Sequence, residues 1–329
     1  MTKIQDIVLS IRKEYALWKA YRKQDAKNWN RKVRFYNWWG DNYELDWMYR
    51  FMANTGLMAE AKRKINFCSV FGKREMLRFV DDGAKVFFTG ENLQMPNHAK
   101  YRDGLLGDQD CALSLGFEVK DNERYMRFPL WLTYVFEPTT DEQMIRERCK
   151  QLRYPEIGER KKFAALVARY DWSGTRSEIY EAIKHIAPIG CPSAVLHNDE
   201  ELITKYNDNK LAYIQQFAFN ICPENSNADG YVTEKVFEAI AAGCIPIYWG
   251  SNNQPEMGIL NQDAIILWNM NGDNTENIRL IEDLWNHPKQ LQAFLAQPRL
   301  AEGAEEEVMR MMNDLYDRLK ELVKGVWLD

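Results

Sequence analysis

Thr233-Glu234-Lys235 and Arg176 are the residues of this 329-residue sequence whose types and positions point most directly to chemistry. Each cation sits where a helix is expected to begin. A positive side chain on a first helical turn opposes the helix dipole, so it calls for an offsetting negative charge. A phosphate is one such charge, and the free N–H groups of a helix start suit it as well. The alternative is a solvated lysine beside an ordinary N-terminal glutamate. Two helix starts that each offer a cation make a better pyrophosphate site than either alone. A third candidate is Glu91, in Thr89-Gly90-Glu91-Asn92, where a lone loop glutamate would otherwise be a surface carboxylate. The four histidines, His98, His185, His197 and His287, stand outside these motifs, so a reaction in need of a base would turn to a carboxylate.

The elements that position these residues follow from the pattern around them. Phe217 to Cys222 is an apolar run bounded by a polar loop, which predicts a short buried strand. The loop Pro223–Gly230 is made of turn residues. From Val232 to Ala242, Val232, Val236, Ala239 and Ile240 recur at helical spacing, and Gly243 stands where a C′ glycine ends a helix. Cys244 to Trp249 is strand-like again, with Pro246 marking a strand start or an edge. The result is a βαβ unit with a polar loop at the carboxyl end of its first strand, where open α/β sheets bind ligands. Upstream, Phe163 to Ala168 predicts another buried strand. After the turn Asp171–Gly174, Thr175-x-x-Glu178 reads as a capping box opening a helix through Ile186, with Arg176 at its first position.

In the N-terminal half, Val33 to Trp38 predicts a strand ending in Asn37-Trp38-Trp39-Gly40. Side chains alternate faces along a strand, so adjacent tryptophans cannot both enter one core, and one is left to line a cleft. Residues 73–80 predict a short helix. The turn Asp81-Asp82-Gly83 and the strand Ala84–Phe88 then deliver Glu91 just beyond a carboxyl end. Further strands are expected at 111–117 and Ala264–Trp268, and a helix at Thr275–Leu284. Asp141–Arg153 reads as a charged helical connector, with a domain boundary at Pro155–Gly158.

The length suits two domains. A composition 46% hydrophobic and 28% charged is that of a globular protein, and a net charge of −5 argues against a nucleic-acid surface. The 11 tryptophans and 16 tyrosines suit sugar binding and cores equally. None of the six cysteines forms a C-x-x-C pair, which favours free thiols and a reducing compartment. No apolar run is long enough for a membrane span or a signal peptide. Residues 1–34 carry ten basic and three acidic side chains, a net +7 that leaves −12 for the rest. Ile4, Ile7, Val8, Ile11, Tyr15 and Trp18 trace one face of a helix there. That helix either lies on an anionic membrane or packs on its own domain with a solvated basic face. In the tail, Val308, Met311, Met312, Leu315, Leu319, Leu322, Val323 and Val326 share a face with mixed charges around it. Core packing across the domain junction is the first reading and self-association the second.

The stretch ENSNADGYVTEKVFEAIAAGCIPIYWG closely resembles the signature of the α-1,3-fucosyltransferases of glycosyltransferase family 10. Those enzymes carry E-N-S/T, Y-V-T-E-K and I-P-I-Y-W-G at this spacing. Asn37-Trp38-Trp39-Gly40, Phe88-Thr89-Gly90-Glu91-Asn92 and Arg176 add matches, in the order of the bacterial members. Arg124-Tyr125-Met126-Arg127-Phe128-Pro129 resembles a further family stretch that is at least as well explained structurally. Asp108-Gln109-Asp110 has the form of the metal clamp of a different glycosyltransferase architecture and reads as chance.

The resemblance implies a GT-B fold, two Rossmann-like domains facing a central cleft. An acceptor-side domain would span 33–155 and a GDP-fucose-binding domain 156–300, flanked by helices at 1–32 and 301–329. It implies transfer of L-fucose from GDP-fucose, with inversion, to the 3-hydroxyl of N-acetylglucosamine in a lactosamine-type oligosaccharide or glycolipid. Glu91 matches the family's general base. Arg176 and Lys235 would hold the diphosphate, so no metal or cofactor is obligatory and a metal is at most stimulatory. Glu234 is a candidate for the ribose hydroxyls, and Asn225 and Tyr231 for phosphate or fucose. Thr233 belongs to the same donor set, as does Glu224, which has no clear role. Trp38, Trp39 and Asn92 are acceptor-side candidates. The animal relatives are anchored in the Golgi membrane, whereas this chain looks like a cytoplasmic bacterial member, with peripheral contact at the inner membrane surface left open. Two alternatives remain: a related transferase using another nucleotide sugar, and a non-catalytic glycan-binding protein on the same fold.

Overall fold

Among the described residues, short apolar strands, none longer than five residues, are gathered into two five-stranded sheets in which every strand pair is parallel. Parallel neighbours cannot be joined by a tight hairpin, so a crossover segment separates each strand from the next. The computed structural model describes residues 3–102 and 110–325. Asp108 and Gln109 of the D-x-D sequence, and Val326 of the tail, lie outside them.

The first sheet contains β1 (Val33–Tyr36), β2 (Ile65–Cys68), β3 (Ala84–Phe88), β4 (Leu113–Gly116) and β5 (Tyr125–Arg127). They lie side by side in that order, without a reversal. Every residue of β2 and β4 is buried, and only Lys85 of β3 is not, as expected for strands covered on both faces. The Arg124–Pro129 stretch is therefore structural in its main part, since β5 closes this sheet. The second sheet contains β6 (Lys162–Ala165), β7 (Ile189–Gly190), β8 (Phe217–Ile221), β9 (Ile245–Tyr248) and β10 (Ile266–Leu267). Its order is β10-β9-β8-β6-β7, so the chain leaves β6 toward one edge and returns on the other side of it at β8. That reversal makes the carboxyl ends of β6 and β8 a topological switch point. Pro246 is the second residue of an interior strand, not an edge. Registered pairing of β9 with β10 begins one residue later, at Ile247, so the missing N–H falls outside that ladder.

The chain divides into two units at points other than those expected. One unit holds the residues up to Pro129, Glu137–Thr140 and the chain from Met311 onward; the other holds Leu130–Phe136 and Asp141–Arg310. Trp131 explains the first crossing: it is fully buried and stacks on Phe237 of the second unit at 4.4 Å. Glu137 and Pro138 return to the first unit through Arg50 (2.6 Å) and Asn54 (3.0 Å). The Glu142–Arg153 helix is no free connector. It buries Ile145, Cys149 and Leu152 and pairs Arg153 with Glu305, all within the second unit.

The tail is one helix, Ala304–Lys324, whose face from Val308 to Val323 is buried as core and whose residues divide between the two units at Met311. The N-terminal helix, Lys3–Lys27, departs from expectation. Leu17, Ala20 and Tyr21 pack it on a cluster that includes Tyr36, Met76 and Phe87. Gln24 accepts from the Asn37 N–H at 2.7 Å, and Asn28 exchanges two hydrogen bonds with the Phe35 backbone. The stripe Ile4, Ile7, Val8, Ile11, Tyr15 and Trp18 is not the packed face and stays exposed.

Candidate functional site

Glu224 organises the loop after β8. It is fully buried, and a buried carboxylate must be hydrogen-bonded to persist. One oxygen accepts from the Thr233 N–H (2.8 Å) and the Tyr248 hydroxyl (3.3 Å). The other accepts from the Thr233 hydroxyl (2.7 Å) and the Lys235 ammonium (3.1 Å). Glu224 thus fixes the start of the Glu234–Ala241 helix against β9. Gly250, at φ +147°, is what lets it sit there, since a Cβ at that position would lie 2.7 Å from Glu224 Cγ. Gly243 follows the helix at φ +69°, as its C′ position predicts.

Lys235 also bonds the Thr233 hydroxyl (2.7 Å) and Glu234 (3.4 Å). Burial works against its ammonium, but Glu224 and Glu234 outweigh that and hold the pKa above the ordinary lysine value. Glu234 is held below its usual value: burial opposes this, and Lys235, its own backbone N–H and Lys210 overcome it. Two carboxylates therefore already offset the cation at this helix start. The dipole argument does not by itself require a bound anion.

Arg176 is the second residue of the Thr175–Ile183 helix and 4% exposed. Its Nη2 donates to the Pro223 carbonyl (2.8 Å) and to Asn225 Oδ1 (3.1 Å), tying the β6 side of the site to the β8 loop. Its Nη1 is buried with no partner among the described residues. Burial lowers the Arg176 pKa, with Asp171 and Glu224 acting in the opposite sense. The expected capping box is absent. Gly174, in the left-handed conformation, is the N-cap, and Asp171 accepts from the Arg176 N–H (3.1 Å) and from the N–H and hydroxyl of Ser177. Glu178 turns instead to Trp268 Nε1 (2.8 Å). Because Asp171 occupies this helix start, the guanidinium is what the helix can offer an anion.

These elements enclose a cavity of about 170 Å³ at the switch point. It is lined by Arg176, Asn225, Glu234 and Lys235, together with Arg169, Tyr170, Lys210 and Asn220, which the sequence reading missed. Four cationic side chains and one carboxylate face it, a balance that favours an anionic group. Full ligand pockets span roughly 300–1,000 Å³, so this volume fits the charged middle of a ligand rather than all of it. Asn220 was findable, since it is the one polar side chain in an otherwise apolar buried strand. Lys210 sits in no motif. Glu224, Tyr231 and Thr233 are buried and do not line the cavity; the first and last shape its wall.

The remaining candidates belong to the first unit. Asn37 turns left-handed (φ 51°) and ends β1, so Trp38 and Trp39 lie on a turn rather than a strand. They stack at 4.2 Å. Trp38 donates to Asp46 (2.6 Å) and packs on Phe35, while Trp39 is 43% exposed beside Phe71 and Phe88. Glu91 follows β3, half-buried, its N–H donating to Thr89 Oγ1 at 3.0 Å. Asn92 is buried and its Oδ1 accepts from the Gln94 N–H. Among the described residues no group of three His, Cys, Asp or Glu side chains is arranged to hold a metal. All six cysteines are buried and none forms a disulfide.

Two α/β units on all-parallel sheets, one carrying a cation-lined cavity at a switch point, match the GT-B type of glycosyltransferase architecture seen in the solved structures below. Residues 33–134 match the "Alpha-(1,3)-fucosyltransferase FucT N-terminal domain" and residues 157–296 the "Glycosyltransferase family 10 (fucosyltransferase) C-term" domain. The chain belongs to glycosyltransferase family 10. It is 27% identical over 257 residues to the Helicobacter pylori protein Alpha-(1,3)-fucosyltransferase FucT, covering 67% of this chain and 50% of that one. It is 30% identical over 103 residues to Drosophila melanogaster Alpha-(1,3)-fucosyltransferase B, covering 29% of this chain and 23% of that one. The chain thus spans at most half the length of these relatives. A crystal structure of an α1,3-fucosyltransferase superposes with a TM-score of 0.60 at 21% identity, over 88% of this chain and 89% of the other. A second, with GDP-fucose, gives 0.57 at 20% identity, over 87% and 89%.

Proposed function

We propose that this chain is an inverting α-1,3-fucosyltransferase that moves L-fucose from GDP-fucose to the 3-hydroxyl of N-acetylglucosamine in a lactosamine-type glycan. The observation that carries the reading is the switch-point cavity, lined by Lys210 and Lys235, where the buried Arg176 Nη1 has no partner among the described residues. Cleaving the anomeric C–O bond builds negative charge on the departing GDP. Preorganised cations at that point lower the barrier because they need no reorganisation as the charge appears. Glu234 is suited to accept the ribose hydroxyls and Asn225 to orient the donor. Arg176 and Lys235 supply the positive charge a metal would otherwise bring. Glu91 is the base that takes the proton of the attacking hydroxyl, and the exposed ring of Trp39 offers a face on which a sugar can stack. The family membership, and a similar fold solved with GDP-fucose, support this donor.

Calorimetry with GDP, UDP and ADP in chelator tests the site: selective, metal-independent GDP binding is expected. Equal affinity for all three would discard the guanine assignment. Incubation with GDP-fucose and N-acetyllactosamine, with the product linkage read by NMR, tests the transfer. GDP binding without product would favour a non-catalytic glycan-binding role.

A further inference from the structure

The N-terminal helix has two apolar faces, and only one of them is used. Leu17, Ala20 and Tyr21, continued by Gln24 and Asn28, dock it on the first unit. At about 100° per residue, Ile4, Ile7, Val8, Ile11, Tyr15 and Trp18 form a second stripe about 135° around the helix from that face. These six side chains are between 43 and 73% exposed. A contiguous stripe of large apolar side chains on a folded surface marks an interaction site, unlike single exposed residues.

The charges beside the stripe say what it meets. Arg12, Lys19 and Lys23 follow one of its borders, all exposed. On the other border Glu14 is ion-paired with Arg78, and Asp25 is engaged by Arg22 and the Tyr36 hydroxyl. No helix among the described residues is long and apolar enough to cross a membrane. From this arrangement we infer that the helix Lys3–Lys27 lies on an anionic lipid bilayer. The stripe Ile4–Trp18 enters the headgroup boundary while Arg12, Lys19 and Lys23 meet the lipid phosphates. Aromatic rings such as Tyr15 and Trp18, stacked at 6.1 Å, belong at that depth, where one edge is apolar and the other wet. A second copy of the helix is a poorer partner: antiparallel pairing would set basic border against basic border, and for a parallel pair the acids of the other border, Glu14 and Asp25, are already ion-paired within the chain. The inference does not depend on the donor or acceptor of the proposed transfer.

The test is cosedimentation of the full chain with phosphatidylcholine vesicles, with and without about 30% phosphatidylglycerol. Binding to the anionic vesicles alone is expected, with release as salt rises. Ile7→Glu with Ile11→Glu should abolish it, and Arg12→Gln, Lys19→Gln and Lys23→Gln together should weaken it about a hundredfold, at roughly fivefold per charge. The substituted side chains are exposed and outside the donor cavity, so GDP affinity and thermal stability serve as controls and stay unchanged. Absence of vesicle binding, equal binding to neutral vesicles, or binding that survives both variants would each overturn the inference. So would a concentration-dependent dimer, without vesicle binding, that Ile7→Glu with Ile11→Glu dissociates.

Discussion

Lys235, half-buried, keeps its charge because the fully buried Glu224 and the half-buried Glu234 hold it, so binding and stability are coupled at this residue. Removing one partner of a buried pair strands the other, at a cost of about 3–5 kcal/mol. Lys235→Ala should therefore both lower the unfolding midpoint and weaken GDP binding. Arg176→Ala removes a charge-assisted contact worth about 1.5–3 kcal/mol, roughly a tenfold to hundredfold loss of GDP affinity by calorimetry. Normal GDP binding by both variants would exclude the cavity as the diphosphate site. Glu224→Ala leaves the Thr233 N–H, the Thr233 hydroxyl and Lys235 short of an acceptor, so urea unfolding should show a loss of similar size together with weaker GDP binding. If Glu224→Ala stayed stable and bound GDP but lost turnover, Glu224 would be the base. The residue types at this site were legible from sequence; the side chains they satisfy were not. A lysine at a helix start signals a nearby negative charge, and only the folded structure reveals that two glutamates of the same loop and helix supply it.

Helix and strand types near the site were legible because the apolar periodicity there is strong, and the ends were less so. Phe217–Ile221 and Ile245–Tyr248 are strands within one residue of the expected limits at each end, and the intervening helix stops at Gly243. The Thr175–Ile183 helix follows its pattern but not its cap. Asp171 reaches back from four residues before Thr175, a partner that no fixed spacing announces. Asp171→Ala should cost about 0.5–2 kcal/mol, the range for losing a side chain that accepts from first-turn N–H groups. It should also weaken GDP binding by displacing Arg176, and thermal unfolding with a GDP titration would check both. Gly250→Ala is the corresponding test on the β9 side. The added Cβ meets Glu224, and overpacking of this kind costs about 1–3 kcal/mol. A Gly250→Ala protein as stable as the parent would mean that Glu224 is not locked as described.

At the scale of the molecule, Glu91 and the cation-lined cavity belong to different units. Glu91→Gln is nearly isosteric and leaves the second unit untouched, so GDP affinity and folding should stay at the parent level. With Glu91 as the base proposed above, turnover with GDP-fucose and acceptor should fall by roughly 10²–10⁴, the usual cost of losing a general base. Loss of GDP binding in Glu91→Gln would put this carboxylate in the donor site instead. The sequence by itself determined the α/β class and the family, and it named the candidate site residues, because strand and helix periods and the Tyr231–Lys235 motif are local in the chain. Tertiary structure alone decided three things. It set the reversed strand order that brings Arg176 of one βα segment beside Asn225 of another, with Lys210 and Asn220 in the same cavity. It moved the unit boundary to Pro129 and Asp141, because the Trp131 ring is buried against Phe237, more than a hundred residues away in the chain. It also chose which face of the N-terminal helix is buried. Helical spacing reveals two apolar faces equally well, and the one that packs is the one whose neighbours, Gln24 and Asn28, can hydrogen-bond the end of β1.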